Sequence, residues 1–451
     1  MGYIIFVATI FCIYMRPFKL PIWVFSTLGA MCVYGLNVVS LDNIALVWEI
    51  TKPSTLTLIG LILFSLAFEK LGFFSHLASY IIPNTHCIQT WKFFVLLIIL
   101  GSIVSMVFAN DGAILVLTPL VLALFNKIDF SKQKHITPKI KFFASFSPLV
   151  VFLLLISFIS DFASNVFIIS NLTNIITAEM FKISFLHFAM MMALPQIFGI
   201  FVFIIIAWIC FRQFLPHTLH FKPDTPLSDN VNSNPNSNHK PSKITLALCY
   251  ILIIILFIGI TLGQHYGIEL YIFLFGISLI ALIYAKALDL IQVKTLLKET
   301  PFSVVIFSFG LFVVVFGVKN AGFLDTMQII FDSIDLAPLL MQIFSVGIFS
   351  SLGSSIINNL PMVLLGNLTL QSFELNSLHT QTLAFAHLLG CNIGSKLTPL
   401  GSLATLLFLL KLKIYNIKIS LLQYIIFAFI LVFFVLLVSL FGLWISAMIF
   451  Y

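Results

Sequence analysis

The 451 residues are 61% hydrophobic, 15% aromatic and only 9% charged, where a soluble globular domain averages about 25% charged residues. Water cannot keep such a chain dissolved, which excludes a soluble enzyme and a nucleic-acid binder; at roughly 20 apolar residues per crossing the length also excludes a single-span receptor. The net charge of +7 belongs to loops instead, because Lys and Arg gather on the cytoplasmic side of membrane proteins and set their orientation.

Residues 3–15 are apolar with no basic segment before them, so they read as a first span rather than a secretory signal. Residues 21–40 and 54–68 form the next two spans, the latter ending near Lys70. An apolar stretch over 93–125 is then interrupted by Phe108-Ala-Asn-Asp-Gly-Ala. Lys92 precedes it and Lys127, Lys132, Lys134, Lys139 and Lys141 follow. Both ends are basic, which predicts a re-entrant hairpin with its tip at Asn110-Asp111-Gly112. Residues 142–178 follow, broken at Ser160-Asp-Phe-Ala-Ser-Asn, and 186–211 return to Arg212.

Residues 216–243 are the most polar part of the chain and carry the run Ser228-Asp-Asn-Val-Asn-Ser-Asn-Pro-Asn-Ser-Asn-His. This composition predicts a flexible cytoplasmic linker. Beyond it the plan repeats: spans at 244–263, 268–285 and 302–318, then 341–370 broken at Asn358-Asn-Leu-Pro. Asp332 and Asp335 precede that stretch and Glu374 follows it, so the second hairpin enters from the acidic, outer side. Residues 381–410 are broken at Cys391-Asn-Ile-Gly-Ser-Lys-Leu-Thr-Pro, and 419–451 close the chain. Only Lys52, Lys182, Lys319 and Lys396 of the 23 Lys and Arg fall away from the inner side in this arrangement. The expected fold is an all-α polytopic membrane protein of about 10–12 transmembrane helices. It has two inverted repeats (1–215 and 244–451), two re-entrant hairpins and two broken helices.

Broken helices inside a bilayer are tolerated only where their backbone is buried in protein or lines a cavity. Matched breaks in inverted halves meet near the midplane, where transporters place substrate and coupling ion. Asp111 and Asp161 are carboxylates at two such breaks and are candidates for carrying protons; Asp111 also suits a cap on the half-helix that follows it. Asn110, Asn358, Asn359 and Asn392 supply uncharged amides, for a polar substrate or for loose backbone ends. Ser164 and Asn165 sit where they could complete the pocket of Asp161. Lys396 is a counter-ion to Asp111 or Asp161, a part of the substrate path, or a side chain snorkelling to an interface. Gly112, Pro361, Gly394, Pro399 and Gly401 are expected to shape the breaks, His387 to pack, and the fifty Phe residues to face lipid.

The six cysteines are scattered, with no CxxC, so neither a disulfide framework nor a metal site is expected. HExxH, GxSxG and Walker A motifs are absent from the sequence. No cofactor is expected, and uphill transport would draw on an ion gradient or a separate motor.

Read together, the breaks resemble the ArsB-type arsenite/antimonite efflux permeases of the ion transporter superfamily. The resemblance rests on Phe108-Ala-Asn-Asp-Gly-Ala-Ile-Leu-Val-Leu-Thr-Pro, Ser160-Asp-Phe-Ala-Ser and Ile169-Ser-Asn-Leu-Thr-Asn-Ile. The second half adds Ile306-Phe-Ser-Phe-Gly-Leu, Gly317-Val-Lys-Asn-Ala-Gly, Asn358-Asn-Leu-Pro and Gly390-Cys-Asn-Ile-Gly-Ser-Lys-Leu-Thr-Pro-Leu-Gly-Ser-Leu-Ala-Thr-Leu-Leu. It implies export of arsenite or antimonite in exchange for protons, in a bacterial inner membrane, and in some members association with an ArsA-type ATPase. Oligomerisation is left open. Two places depart from the family pattern. Asn392 and Ser395 stand in Gly-Cys-Asn-Ile-Gly-Ser-Lys where the family reads Gly-Cys-Asp-Leu-Gly-Pro-Lys. Phe162 and Asn165 stand in Asp-Phe-Ala-Ser-Asn where it reads Asp-Thr-Ala-Ser-Leu. The nearest alternatives are a sodium/proton antiporter or a carboxylate carrier of the same superfamily.

Overall fold

The computed structural model describes residues 1–80, 87–129, 147–222, 241–291, 302–323, 325, 327, 336–372, 377–399, 401–417 and 419–450. The central part of the expected linker lies outside these residues, as do Asp332, Asp335 and Glu374. Among the described residues the chain is almost entirely helical. Helices α1 (Gly2–Met15), α2 (Ile22–Gly35) and α3 (Leu41–Lys70) open it, and a short α4 (Phe73–Ser79) follows. The first hairpin is α5 (Thr90–Phe108) and α6 (Asn110–Asn126). The first broken helix is α7 (Pro148–Phe162) and α8 (Leu172–Met180), and α9 (Phe185–Phe211) ends the half.

The second half runs α10 (Lys243–His265), α11 (Leu270–Ala287), α12 (Phe302–Asn320), hairpin α13 (Leu339–Ile357) and α14 (Asn359–Gln371), broken helix α15 (Ser377–Gly394) and α16 (Leu403–Ile414), and α17 (Leu421–Phe450). Seven of the described helices, α3, α5, α9, α10, α11, α13 and α17, are long and apolar enough to cross a membrane. The 30 residues of α17 span about 45 Å, longer than a hydrocarbon core of about 30 Å, so this helix tilts or projects.

The packings come in matched pairs. α2 lies on α12 as α11 lies on α3, and α5 meets α7 as α13 meets α15. The second arm of each hairpin packs on the broken helix of the other half, α6 on α16 and α14 on α8, while α9 packs on its own counterpart α17. Small residues bring the helices close. A Cβ added at Gly390 would lie 2.2 Å from the Gly347 carbonyl oxygen, and one at Gly394 would lie 2.2 Å from Ser351 Oγ. The GxxxG spacing on α15 therefore lets its backbone approach that of α13, as small residues do between membrane helices.

The first hairpin is fixed by a small sheet. Strand β1 (Cys87–Gln89) pairs antiparallel with β2 (Thr218–His220), and Ile128 bridges Phe221. Both ends of the hairpin are thus tied to the same short segment, 218–221, and must lie on the same side. Strand β2 also occupies the beginning of the stretch expected to be a flexible linker, because its backbone finds partners at the hairpin base.

Two further expectations are corrected. Helix α3 starts at Leu41, well before residue 54: Ser40 Oγ accepts from the Asn43 amide in a capping box, and Pro53 is carried inside the helix, with the Ser54 hydroxyl donating to the Thr51 carbonyl. The Phe residues do not serve lipid alone. Phe64, Phe68, Phe73, Phe74 and Phe108 interlock in the interior, with Phe64 stacked on Phe108 at 5.0 Å between centroids. Aliphatic side chains such as Ile251, Ile254, Ile255 and Ile258 on α10 cover much of the exterior instead.

Candidate functional site at the helix breaks

Each hairpin turns on one residue with a backbone that L-amino acids rarely adopt: Ala109 at φ 61°, ψ 155° and Asn358 at φ 83°, ψ 152°. The same geometry at corresponding positions lets α6 and α14 start afresh, and their first-turn amides need partners from outside the helix. The Asn110 carbonyl oxygen of the side chain accepts from the Asp111 amide at 2.9 Å, and the Asn358 side chain accepts from the Leu360 amide at 3.3 Å. Asp111 lies in the first turn of α6, where the helix dipole favours a negative group. Gly112 follows it, and a Cβ there would lie 2.8 Å from Ser65 Oγ on α3. The turn falls one residue earlier than the expected tip.

The first break leaves the end of α7 without helical partners, and amide side chains supply them. Asn165 donates to the carbonyls of Asp161 and Phe162 at 3.2 and 3.0 Å. Gln196 on α9 donates to Phe162 and accepts from the Asn165 backbone amide. Ser164 donates to the Asp161 carbonyl, and Asn174 donates to the carbonyls of Ser164 and Phe167. With its backbone satisfied in this way, the break can stand in an apolar interior.

The second break faces the first. Lys396, in the 3-10 turn Ser395–Leu397, has its Nζ 2.8 Å from Asp161 Oδ2, with both side chains almost completely buried. Lys396 also donates to Thr405 Oγ1 at 2.6 Å, and Asn110 donates to Asp161 Oδ1 at 2.6 Å. Asp161 therefore joins the tip of the first hairpin to the second break. A separate knot ties the same elements: Asn392 donates to Asn165 Oδ1 and Asn174 Oδ1 at 2.8 and 2.9 Å and accepts from Thr173 at 2.6 Å. Gly401 turns against the Ser395 carbonyl and accepts from the Asn359 amide at 2.9 Å, while Pro399 is buried beside it. Pro361 lies in the first turn of α14, where a missing N–H costs nothing.

Asp111, Asn110, Asp161 and Lys396 thus gather with Ser164, Asn165 and Asn392 where the two halves meet, and Asn358 and Asn359 border them from the second hairpin. Asp111 is half-buried, and its Oδ1 is buried without a hydrogen-bond partner among the described residues; the same holds for Asn359 Oδ1. Sequence reasoning passed over Thr173, Asn174, Gln196 and Thr405. Three of these lie inside the motifs quoted above, and Gln196 is the single amide in the apolar helix α9. His387 is packed away from this centre, against Ser350 Oγ at 2.6 Å, with Gly366 leaving room for its ring. Cys391 Sγ lies 3.7 Å from Nε2 of that ring, and among the described residues no group of His, Cys, Asp and Glu could hold a metal ion.

Similarity to known proteins fits this architecture. Residues 1–447 match the profile of the ArsB family, described as arsenical pump membrane protein. An arsenical pump membrane protein from Escherichia coli is 30% identical over 433 residues, covering 92% of this chain and 91% of the relative. One from Yersinia enterocolitica is 30% identical over 423 residues with the same coverage. The crystal structure of the YdaH transporter from Alcanivorax borkumensis, noted for an unusual topology, superposes with a TM-score of 0.56 over 90% of each chain. At 12% identity it bears on the fold alone. Whole-length family match, paired hairpins and broken helices agree: this chain is a multi-pass membrane transporter, not an enzyme, and belongs to the ArsB family of arsenical pump membrane proteins.

Proposed function

We propose that this transporter exports arsenite and antimonite from the cytoplasm, across a bacterial inner membrane, in exchange for protons. The observation that carries the reading is the buried group of two carboxylates and one ammonium at facing breaks, in which Asp111 keeps an oxygen free. With both carboxylates ionised, Asp111, Asp161 and Lys396 sum to one negative charge. One bound proton brings the sum to zero. In a low-dielectric interior that difference is large, so proton loading and release change what the site will accept.

Arsenite near neutral pH is mainly a neutral trihydroxide, so it is recognised through O–H groups rather than charge. An ionised Asp111 accepts from such a group at the oxygen that a proton would otherwise take. Competition for one oxygen is the simplest physical basis of exchange. Asn359 Oδ1 offers a second acceptor from the other hairpin. Asn110, Ser164, Asn165, Asn358 and Asn392 hold the wall of the site through bonds within the protein. A carboxylate carrier would need a cation for its anion, and Lys396 is engaged by Asp161 and Thr405. That observation favours the neutral substrate.

The test is arsenite accumulation in everted vesicles with an inside-acid gradient, with sodium movement followed in parallel and empty-vector membranes as control. The expected result is uptake abolished by a protonophore and reduced at least about tenfold by Asp111→Asn or Asp161→Asn, as for loss of a group used in the transport step. Sodium entering as protons leave, without arsenite, would make the protein a sodium/proton antiporter. Normal uptake by both variants would remove the two carboxylates from coupling.

A further inference from the structure

We infer that Lys396 is a tethered cation: its ammonium fills a site built to hold a free monovalent cation, and so relieves the transporter of any need to bind one. The inference rests on the reading of Asp161 as part of the transport site. The lysine comes from one half of the chain and its ligands are all oxygens. Asp161 Oδ2 lies 2.8 Å away and Thr405 Oγ1 2.6 Å away. A carboxylate with a neutral hydroxyl oxygen is the kind of donor set that holds a hard cation, and the two oxygens come from two different helices, α7 and α16.

A simple stabilising ion pair explains this arrangement poorly. Burying an ammonium and a carboxylate costs as much as their attraction returns, and such pairs are often replaceable by apolar groups. A tethered charge has a different use. It is always present, needs no gradient of its own, and fixes the charge of the site so that only the proton varies. Removing the side chain beyond Cβ leaves the Asp161 carboxylate and the Thr405 hydroxyl facing a space the size of the lost ammonium and its stem.

The experiment compares thermal unfolding of the purified protein in choline, sodium, potassium and methylammonium chloride at equal ionic strength. Wild type is expected to unfold at the same temperature in all four. Lys396→Ala should unfold earlier in choline and recover by a few degrees, saturably, with sodium, potassium or methylammonium, as for ligand binding to the native state. The double variant Asp161→Asn/Lys396→Ala should lose that response. In vesicles, arsenite uptake by Lys396→Ala should return with the same cation. Three results overturn the inference: wild type responding as the variant does, no saturable response in Lys396→Ala, or a response that survives in the double variant. If neither Lys396→Ala nor Lys396→Gly can be obtained folded in any of the four salts, it is also overturned, because an occupied site should restore the missing charge. Because unfolding is read without arsenite, failure here is separable from failure of the transport reading: wild-type vesicles report on the latter alone.

Discussion

At the scale of single residues, the two places where the sequence departs from the family pattern turn out to touch. Asn165 and Asn392 are hydrogen-bonded at 2.8 Å, so one departure explains the other. The nitrogen of Asn165 is held by the carbonyls of Asp161 and Phe162, and that of Asn174 by the carbonyls of Ser164 and Phe167. Neither amide can flip, and both therefore turn an oxygen toward position 392. The side chain at 392 must donate to these two oxygens while its own oxygen accepts from Thr173, which an amide does and a carboxylate cannot. Asn392→Asp should thus lower stability by about 3 kcal/mol, the scale of a buried charge facing unmatched acceptors. Asn165→Leu alone should cost about 2 kcal/mol by uncapping α7. Combined, the two should cost less than their sum, because the leucine removes one of the opposing oxygens. A double-mutant cycle in thermal or denaturant unfolding reads the coupling directly; strict additivity would mean that the 165–392 bond is energetically idle.

Among whole elements, charge placement located the first hairpin, and residue chemistry put its turn one residue late, whereas the second hairpin turns at Asn358 as expected. Lysines on both sides of 93–125 correctly implied that the stretch doubles back, and the segment 218–221, pairing with β1 and bridging Ile128, is the structural counterpart. The turn itself was expected over Asn110-Asp111-Gly112 because those residues favour turns. It falls on Ala109, which has no preference for positive φ, so nothing local in the sequence marks it. Likewise the third span was expected to begin at residue 54, while the capping box at Ser40 and the hydroxyls near Pro53 let α3 run from Leu41 through the proline. Tertiary packing holds Ala109 in a region that normally costs about 1–3 kcal/mol for a residue with a Cβ. Ala109→Gly should therefore raise the unfolding temperature, and Ala109→Val should lower it. No gain on Ala109→Gly would show that the backbone at the tip relaxes freely.

For the molecule as a whole, the polar breaks were legible as a set because ionisable residues in apolar stretches are costly and few. Their partners were not, since Asp161 and Lys396 are separated by most of the second half and only folding brings them to 2.8 Å. The same long-range pairing decides how the halves depend on each other. Each hairpin's second arm rests on the other half's broken helix, α6 on α16 and α14 on α8, and α9 packs along α17. Asn392 and Lys396 bind across the same boundary. A half made alone would expose these faces, including the Asp161 carboxylate without its cation, inside the bilayer. These contacts are made between residues 1–222 and 241–451. Residues 1–222 and 241–451 expressed together as separate chains should therefore copurify and support proton-driven uptake in vesicles at a level near that of the intact chain. Either piece expressed alone should be degraded or inactive. Uptake by a single half would mean that each carries a complete site, and that the pairing of Asp161 with Lys396 is dispensable for transport.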